Sequence, residues 1–165
     1  MIRMSATFED LQILRSAEEI ADAIWQHVAA WKTLPRDVVG VQLARAADSI
    51  GANIAESFGR FHYGKKLQFL YYARGSLFET KYWLNRTQKR QLMPEEQVKN
   101  YSDQLTVLAR QLNAFAGGLK AYRRTSATKN SSIRESSIEY IVGEVAEPPL
   151  PLFTEDDLNW LHSLA

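Results

Sequence analysis

The chain has 165 residues, 45% of them hydrophobic and 24% charged, which suffices for one core of ordinary size but not for two comfortable domains. It contains no cysteine, which excludes disulfides, zinc–thiolate sites, thiol nucleophiles and iron–sulfur clusters and suits a reducing cytosol. No signal peptide and no apolar run of ~18 residues is present, so we expect a soluble, cytoplasmic protein.

The net charge of +1 conceals an asymmetry along the chain. Residues 1–124 carry 18 Lys/Arg and 12 Asp/Glu, a balance of +6, whereas residues 125–165 carry 2 Lys/Arg and 7 Asp/Glu, a balance of −5. A basic body with an acidic tail permits a polyanionic partner, although an ordinarily solvated surface is the simpler interpretation.

The first two of four predicted helices are bounded by capping residues, proline and glycine. The first begins after Thr7, a residue type that caps helices, and ends before Pro35. The second opens at Pro35 and ends at Gly59. It carries small residues at helical spacing, which would let another backbone approach closely: Gly40, Ala44, Ala47, Gly51 and Ala55.

The third predicted helix, from about Tyr63 to Arg90, is apolar on more than one face. Aromatic residues flank its core face on both sides, and a single neighbouring layer could not cover them all. This predicts burial against another subunit. The alternative is that the rings lie at helix edges with hydrated hydroxyls. The residues are Phe69, Tyr72 and Trp83 on one flank and Tyr71, Phe78 and Tyr82 on the other.

The fourth predicted helix begins at Pro94 and has the most regular pattern. Apolar residues from Val98 to Tyr122 alternate steps of three and four, which indicates a packed core seam rather than a site. Four such helices with short connections must run antiparallel. The sequence therefore predicts an all-α, up-down-up-down four-helix bundle over residues 1–124 and an irregular C-terminal tail over residues 125–165.

Polar residues on the second and third helices are predicted to fix how these two helices pair. If the hairpin turns near Phe61, Arg45 lies level with Glu79 and forms an ion pair with it, and Ser49 lies level with Arg74. Asn53 needs a partner in mid-helix, and Glu56 with Arg60 forms an i,i+4 pair. The residues assigned structural polar roles are Arg45, Ser49, Asn53, Glu56, Arg74, Ser76 and Glu79.

These residues form part of a longer pattern. Residues 42–56 read QLARAADSIGANIAE, followed by Gly59-Arg60, Phe69-Leu70 and, at residues 73–79, ARGSLFE. Over about residues 8–122 the chain resembles the 23S rRNA intervening-sequence protein family. Gly51 stands where that family often has proline and Ser57 where it usually has glycine, which bears on backbone shape near the end of the second helix.

The resemblance implies a ring-shaped homo-oligomer, usually a pentamer, of antiparallel four-helix protomers without established enzymatic activity. The family is similar to the accessory protein of diversity-generating retroelements, a basic pentameric barrel that binds nucleic acid and a reverse transcriptase.

No set of residues has the spacing of a catalytic or metal site. The three histidines, His27, His62 and His162, form no Glu-x-x-His pair and none follows an arginine by four to six residues. No P-loop, dinucleotide fingerprint or Gly-x-Ser-x-Gly occurs. We therefore expect no enzymatic activity, no metal and no cofactor.

Three basic clusters are candidates for nucleic-acid contact. The first surrounds the aromatic turn between the second and third helices, where cations can meet phosphates while rings stack on bases. The other two lie near helix C-termini, where the helix dipole also favours cations. The candidates are Arg60, Lys65 and Lys66, then Arg86, Lys89 and Arg90, and finally Arg123 and Arg124.

The acidic tail is predicted to contain a Ser/Thr-rich tether over residues 125–137, a short strand over residues 136–145 and a helix over residues 155–164 capped by Thr154. The apolar side chains of that helix are predicted to dock into a groove of a neighbouring protomer or of another protein. A disordered end is the alternative. The docking candidates are Leu158, Trp160, Leu161 and Leu164.

Two functions remain open on the sequence. One is a nucleic-acid-binding accessory factor that associates with RNA or DNA and with a protein such as a reverse transcriptase. The other is a scaffold or adaptor ring that docks a protein partner through its tail without binding nucleic acid.

Overall fold

A computed structural model describes residues 8–130 and 151–164, with side chains described for residues 12–123 and 151–164. Within these ranges the secondary structure is entirely helical. The Thr7 cap and the strand predicted for residues 136–145 lie outside the described residues. The helices are α1 (Phe8–Ala29), α2 (Val41–Gly59), α3 (Tyr63–Lys89), α4 (Glu95–Asn130) and α5 (Glu155–His162).

Two short helical turns precede α2 without a break, an α-helical turn over Thr33–Pro35 and a π-helical turn over Arg36–Gly40. Gly40 allows the π-helical turn to lie against α1, because a Cβ at this position would stand 2.6 Å from Val28 Cγ1. Farther along, Gly51 faces Ala17 of α1, with 3.8 Å between an added Cβ and that methyl group. Gly40 in the π-helical turn and Gly51 in α2 thus allow close packing of α1, as the spacing of the small residues predicts.

One hydrophobic core joins residues of all five helices. Helices α1 and α2, α2 and α3, α3 and α4, and α1 and α4 contact one another around it. The predicted α4 seam is buried from Val98 to Leu112, while Tyr122 is exposed. The largest fully buried side chains include Ile24, Leu43, Ile54, Leu77 and Tyr101.

Helix α4 extends to Asn130, six residues past the predicted end at Arg124, so the tether predicted from residue 125 begins as helix. Once a helix is nucleated and packed, each added residue gains a backbone hydrogen bond at little further cost, which outweighs the weak helix propensity of the Ser/Thr residues.

The C-terminal helix α5 lies against α4 and completes the core. Thr154 caps it as predicted: the Asp157 amide donates to Thr154 Oγ1 at 3.2 Å, and the Thr154 amide donates to Asp157 Oδ2 at 2.8 Å. Leu152 and Phe153, just before the cap, are buried with Leu158 and Leu161. The last part of the tail is therefore an ordered helix that packs on its own chain.

Candidate nucleic-acid interface

The turn between α2 and α3 presents aromatic and basic side chains together. Phe61 is 93% exposed, and the His62 ring lies edge-on to it with 5.4 Å between ring centres. Arg60 forms the predicted i,i+4 ion pair with Glu56, and its guanidinium carbon lies 4.7 Å from the Phe69 ring centre. The turn thus combines an unobstructed ring with a positioned cation.

The third basic cluster reaches this turn from α4. The guanidinium carbon of Arg123 lies 4.9 Å from the centre of the Tyr63 ring, at the first residue of α3. Lys65 is exposed on the same first turn of α3 and donates to Gln68 Oε1 at 3.2 Å. We call this set the turn surface, which consists of Arg60, Phe61, His62, Tyr63, Lys65 and Arg123.

Lys66, the remaining member of the first cluster, has a structural contact. Its ammonium group donates to the carbonyl oxygens of Ser57 and Phe58 at 3.4 and 3.2 Å, near the end of α2. The Ser57 hydroxyl in turn donates to the Lys66 carbonyl at 3.0 Å. Lys66 therefore satisfies carbonyls that have no partner within the helix, and helix C-termini favour such cations.

The second cluster lies at the opposite end of α3. Arg86 and Lys89 lie in the last turn of the helix and Arg90 follows it, about 35–40 Å along the axis from Tyr63. The sequence clusters thus separate into the turn surface and a distant surface formed by Arg86, Lys89 and Arg90. The Arg124 side chain lies outside the described side chains.

Asn53 joins α2 to α3. Its amide nitrogen donates to the Ser49 carbonyl at 2.8 Å and to Ser76 Oγ at 3.3 Å. The mid-helix asparagine thus has the partner expected from the cost of its polar side chain.

The predicted Arg45–Glu79 ion pair is wrong. Glu79 accepts instead from Trp83 Nε1 at 3.5 Å. Arg45 lines a cleft of about 440 Å³ between α1 and α2, together with Trp25 and Asp48. The prediction fails because Arg45 is exposed and its side chain lines the cleft beside α1, whereas equal height in a hairpin brings side chains together only when both face the partner helix.

Arg74, predicted to lie level with Ser49, pairs with the C-terminal helix. Its Nη2 lies 3.1 Å from Asp157 Oδ2, and its guanidinium carbon lies 4.6 Å from the centre of the Phe78 ring. Burial alone would raise the pKa of Asp157, but hydrogen bonds from Thr154 and Arg74 hold that pKa below its ordinary value. Ser49 donates to the Arg45 carbonyl of its own helix at 2.7 Å.

A groove formed by α3 and α4 holds residues 151–164, the C-terminal segment. Phe78 of α3 stacks with Phe153 and with Trp160, at ring-centre distances of 5.9 and 5.2 Å. Asn113 of α4 accepts from the Phe153 amide and donates to the Phe153 carbonyl, both at 2.8 Å. The C-terminal segment of the same chain thus covers part of the aromatic surface of α3, which the sequence predicted to be buried against another subunit.

Lys81 is a buried charged residue that the sequence patterns did not single out. Its side chain is 0% exposed, and Nζ donates to Ser102 Oγ at 2.9 Å and to the carbonyl oxygen of Ser163. Burial lowers the pKa of Lys81 to about 8, against the opposing effect of the Asp103 carboxylate. A usable signal was present: Lys81 follows Leu77 by four residues and precedes Leu84 by three, so it shares their inward face.

Asp103 of α4 adds a second contact at the end of α5. Lys99 donates to Asp103 Oδ2 at 2.9 Å, and His162 Nδ1 lies 2.9 Å from Asp103 Oδ1. The hydrogen bond from Lys99 is the main reason that the pKa of Asp103 is lowered. We call the surface formed by Arg74, Phe78, Lys81, Ser102, Asp103 and Asn113 the C-terminal groove.

The four docking candidates therefore do not form one free face. Leu158 and Leu161 are buried in the core of their own chain, while Trp160 and Leu164 remain partly exposed. Leu158 and Leu161 pack in the C-terminal groove of their own chain, whereas the sequence predicted a groove of a neighbouring protomer or of another protein.

The described residues contain neither a metal-binding cluster nor a membrane-spanning helix. Among them no three His, Asp or Glu side chains cluster as a metal site would require. None of the described helices is both long enough and apolar enough to cross a membrane.

Comparison with known families identifies the chain. The model of the 23S rRNA-intervening sequence protein family matches residues 9–114, which include α1, α2, α3 and the first part of α4. No curated protein matches the sequence. The matched range contains most of the turn surface and excludes Arg123 and the C-terminal segment. The chain belongs to the 23S rRNA-intervening sequence protein family.

Proposed function

We propose that the protein is a non-enzymatic, homo-oligomeric accessory factor that binds nucleic acid through the turn surface. The observation that carries the proposal is the meeting of two sequence-distant basic clusters at one aromatic turn. Arg123 of α4 and Arg60 of the α2–α3 turn each lie over a ring, at Tyr63 and Phe69.

The chemistry of the turn surface favours sequence-tolerant binding of single strands. Lys65, Arg60 and Arg123 can neutralise phosphates, and Phe61 offers a ring face on which any base can stack. Neither Arg60 nor Arg123 extends alone into solvent, because each lies over a ring. Holding these cations in place lowers the entropy lost when they contact phosphates.

We also propose that α1 to α4 form an antiparallel four-helix bundle that assembles with copies of itself, as a pentamer. Support for the bundle comes from the contacts of Asn53 with Ser76, of Lys81 with Ser102, and of the His27 and Tyr101 rings at 5.9 Å. Support for assembly comes from large apolar side chains that stay about half or more exposed: Trp25, Leu34, Val38, Tyr72 and Tyr82.

The test is fluorescence anisotropy with a labelled single-stranded RNA and the DNA of the same sequence. Lys65→Gln/Arg123→Gln is compared with Lys89→Gln/Arg90→Gln, which removes the same charge at the other end of α3. We expect at least a tenfold loss of affinity for the first variant and little loss for the second. Phe61→Ala should weaken binding without any change in charge.

Equal losses for the two charge variants would contradict the turn surface as the binding site. A pull-down of the intact oligomer with and without nuclease then distinguishes the two functional classes. Association with a protein partner, such as a reverse transcriptase, that survives nuclease in the absence of bound nucleic acid would favour a scaffold ring.

A further inference from the structure

The C-terminal groove has features of a peptide-binding site in addition to the core packing of α5. Asn113 makes both of its amide hydrogen bonds to the backbone of Phe153, a mode of recognition that peptide-binding domains use. Arg74 pairs with the carboxylate of Asp157, and Phe78 stacks with two rings of the segment. The groove therefore contacts the backbone, a carboxylate and the aromatic rings of one short segment.

The far end of the segment is also recognised. Lys81 donates to the Ser163 carbonyl just after α5 ends, where helix carbonyls lack partners and carry partial negative charge. A buried ammonium placed at this carbonyl ties the position of α5 to α3 and α4. The groove thus contacts both ends of the segment, at Phe153 and at Ser163.

The linker between α4 and the C-terminal segment is long enough for the segment to enter the C-terminal groove of its own chain or that of a second copy. Phe153 contacts Asn113, which lies 17 residues before the end of α4 at Asn130. The linker must therefore cover about 25 Å between Asn130 and the contact with Asn113. The 23 residues from Asn130 to Phe153 can span roughly 75 Å when extended. The linker is therefore about three times as long as the distance that it must cover.

We propose that the C-terminal segment of one subunit enters the C-terminal groove of a second copy of the chain and exchanges with that copy's own segment. A second copy has the same groove residues, so the segment would make the same contacts in either groove. Residues 1–124 of a second copy also carry a charge balance of +6, which is opposite in sign to Glu155, Asp156 and Asp157 of the segment. Exchange needs two copies within reach and does not depend on nucleic acid.

Cross-linking of full-length chains tests the exchange, since the chain has no native cysteine. Val107 of α4 is 53% exposed and lines the same cleft, of about 250 Å³, as Asn159 of α5. Val107→Cys and Asn159→Cys chains of different tagged size are mixed, incubated and treated with a short bismaleimide. We expect covalent heterodimers at least ten times more abundant than for Lys89→Cys mixed with Asn159→Cys.

Two further variants make the result decisive. The double variant Val107→Cys/Asn159→Cys, diluted and treated alone, should close within one chain, which verifies the groove. Adding Asp157→Asn to the Asn159→Cys chain should lower the heterodimer yield, whereas the neighbouring Asp156→Asn should not. Heterodimers no more abundant than in the Lys89 control would overturn the proposal, and so would failure of the double variant to close.

Discussion

The ammonium group of Lys81 on α3 donates a hydrogen bond to the carbonyl oxygen of Ser163, which follows α5. A lysine within the family-matched region thus fixes the position of a segment that lies beyond it. The burial that makes this contact strong also lowers the pKa of Lys81 to about 8, below the ordinary value of 10.5. Protonation of Lys81 and the stability of the fold are therefore linked.

The first prediction concerns stability at alkaline pH. Because the folded pKa is the lower one, the folded state binds fewer protons between pH 8 and pH 10.5, and the free energy of unfolding rises with pH over that window. Relative to Lys81→Met, the native chain should gain at most about 2 kcal/mol between pH 8.5 and pH 10, as measured by urea denaturation. The variant retains Tyr71 and Tyr101, whose raised pKa values affect both proteins alike. Parallel pH profiles would contradict the assignment.

The second prediction concerns the ion pair that holds α5. Asp157→Asn removes the charge opposite Arg74 while leaving an oxygen that can still accept at the helix cap. A charge-assisted hydrogen bond contributes about 1.5 kcal/mol, so the opening equilibrium of the segment should increase roughly tenfold. Hydrogen exchange of the Phe153 amide measures this opening. Asp156→Asn is the matched control and should leave the exchange rate unchanged.

The same pair predicts how acid acts on the segment. Since the pKa of Asp157 is lowered in the folded state, its stabilising effect is present above the unfolded pKa of about 3.9 and is lost as pH falls through the lower folded value. Phe153 amide protection should therefore fall more between pH 5 and pH 3 in the native chain than in Asp157→Asn. Equal loss in both chains would show that other carboxylates dominate.

A third prediction contrasts two glycines in helices. Gly40→Ala would place a Cβ 2.6 Å from Val28 Cγ1, and a valine in a helix has little freedom to rotate away, so we expect a loss of about 1–3 kcal/mol. Gly75→Ala meets nothing within 4 Å in α3 and should stabilise the fold by about 0.5–1 kcal/mol. Thermal denaturation measures both, and a stabilising Gly40→Ala would contradict the close packing of α1 on the π-helical turn.

A fourth prediction concerns the turn after α3. Gln91 has φ of 54°, in the left-handed region, and the next residue, Leu92, donates from its amide to the Thr87 carbonyl at 2.9 Å. Glycine adopts this conformation without steric cost, so Gln91→Gly should raise the free energy of unfolding by about 0.5–1 kcal/mol. Gln91→Ala should give no such gain, and equal behaviour of the two variants in urea denaturation would refute the explanation.

Helix positions were predictable because apolar spacing, proline and glycine act locally. The helix from Tyr63, the start after Pro94 and the capping box of Thr154 with Asp157 follow from neighbouring residues alone. The extension of α4 to Asn130 was not, because helix propagation depends on the packed helix before it as well as on local composition.

Contacts between distant segments were less predictable. The Arg45–Glu79 pair was predicted from hairpin height, but the direction of each side chain around its helix decided the contact. The partner of Arg74, Asp157, lies 83 residues away, and no local pattern joins them. The contact of Arg123 with Tyr63 likewise depends on how α3 and α4 pack. The sequence therefore indicated the first and third basic clusters but not that they lie together.

The salt dependence of single-stranded nucleic-acid binding tests the central claim most directly. Each phosphate neutralised by a cation contributes about 0.7 to the slope of log affinity against log salt concentration. The native chain and Lys89→Gln/Arg90→Gln should show the same steep slope, and Lys65→Gln/Arg123→Gln should show a slope smaller by about 1.4. One common slope for all three proteins, or no measurable binding by the native oligomer at low salt, would contradict the account.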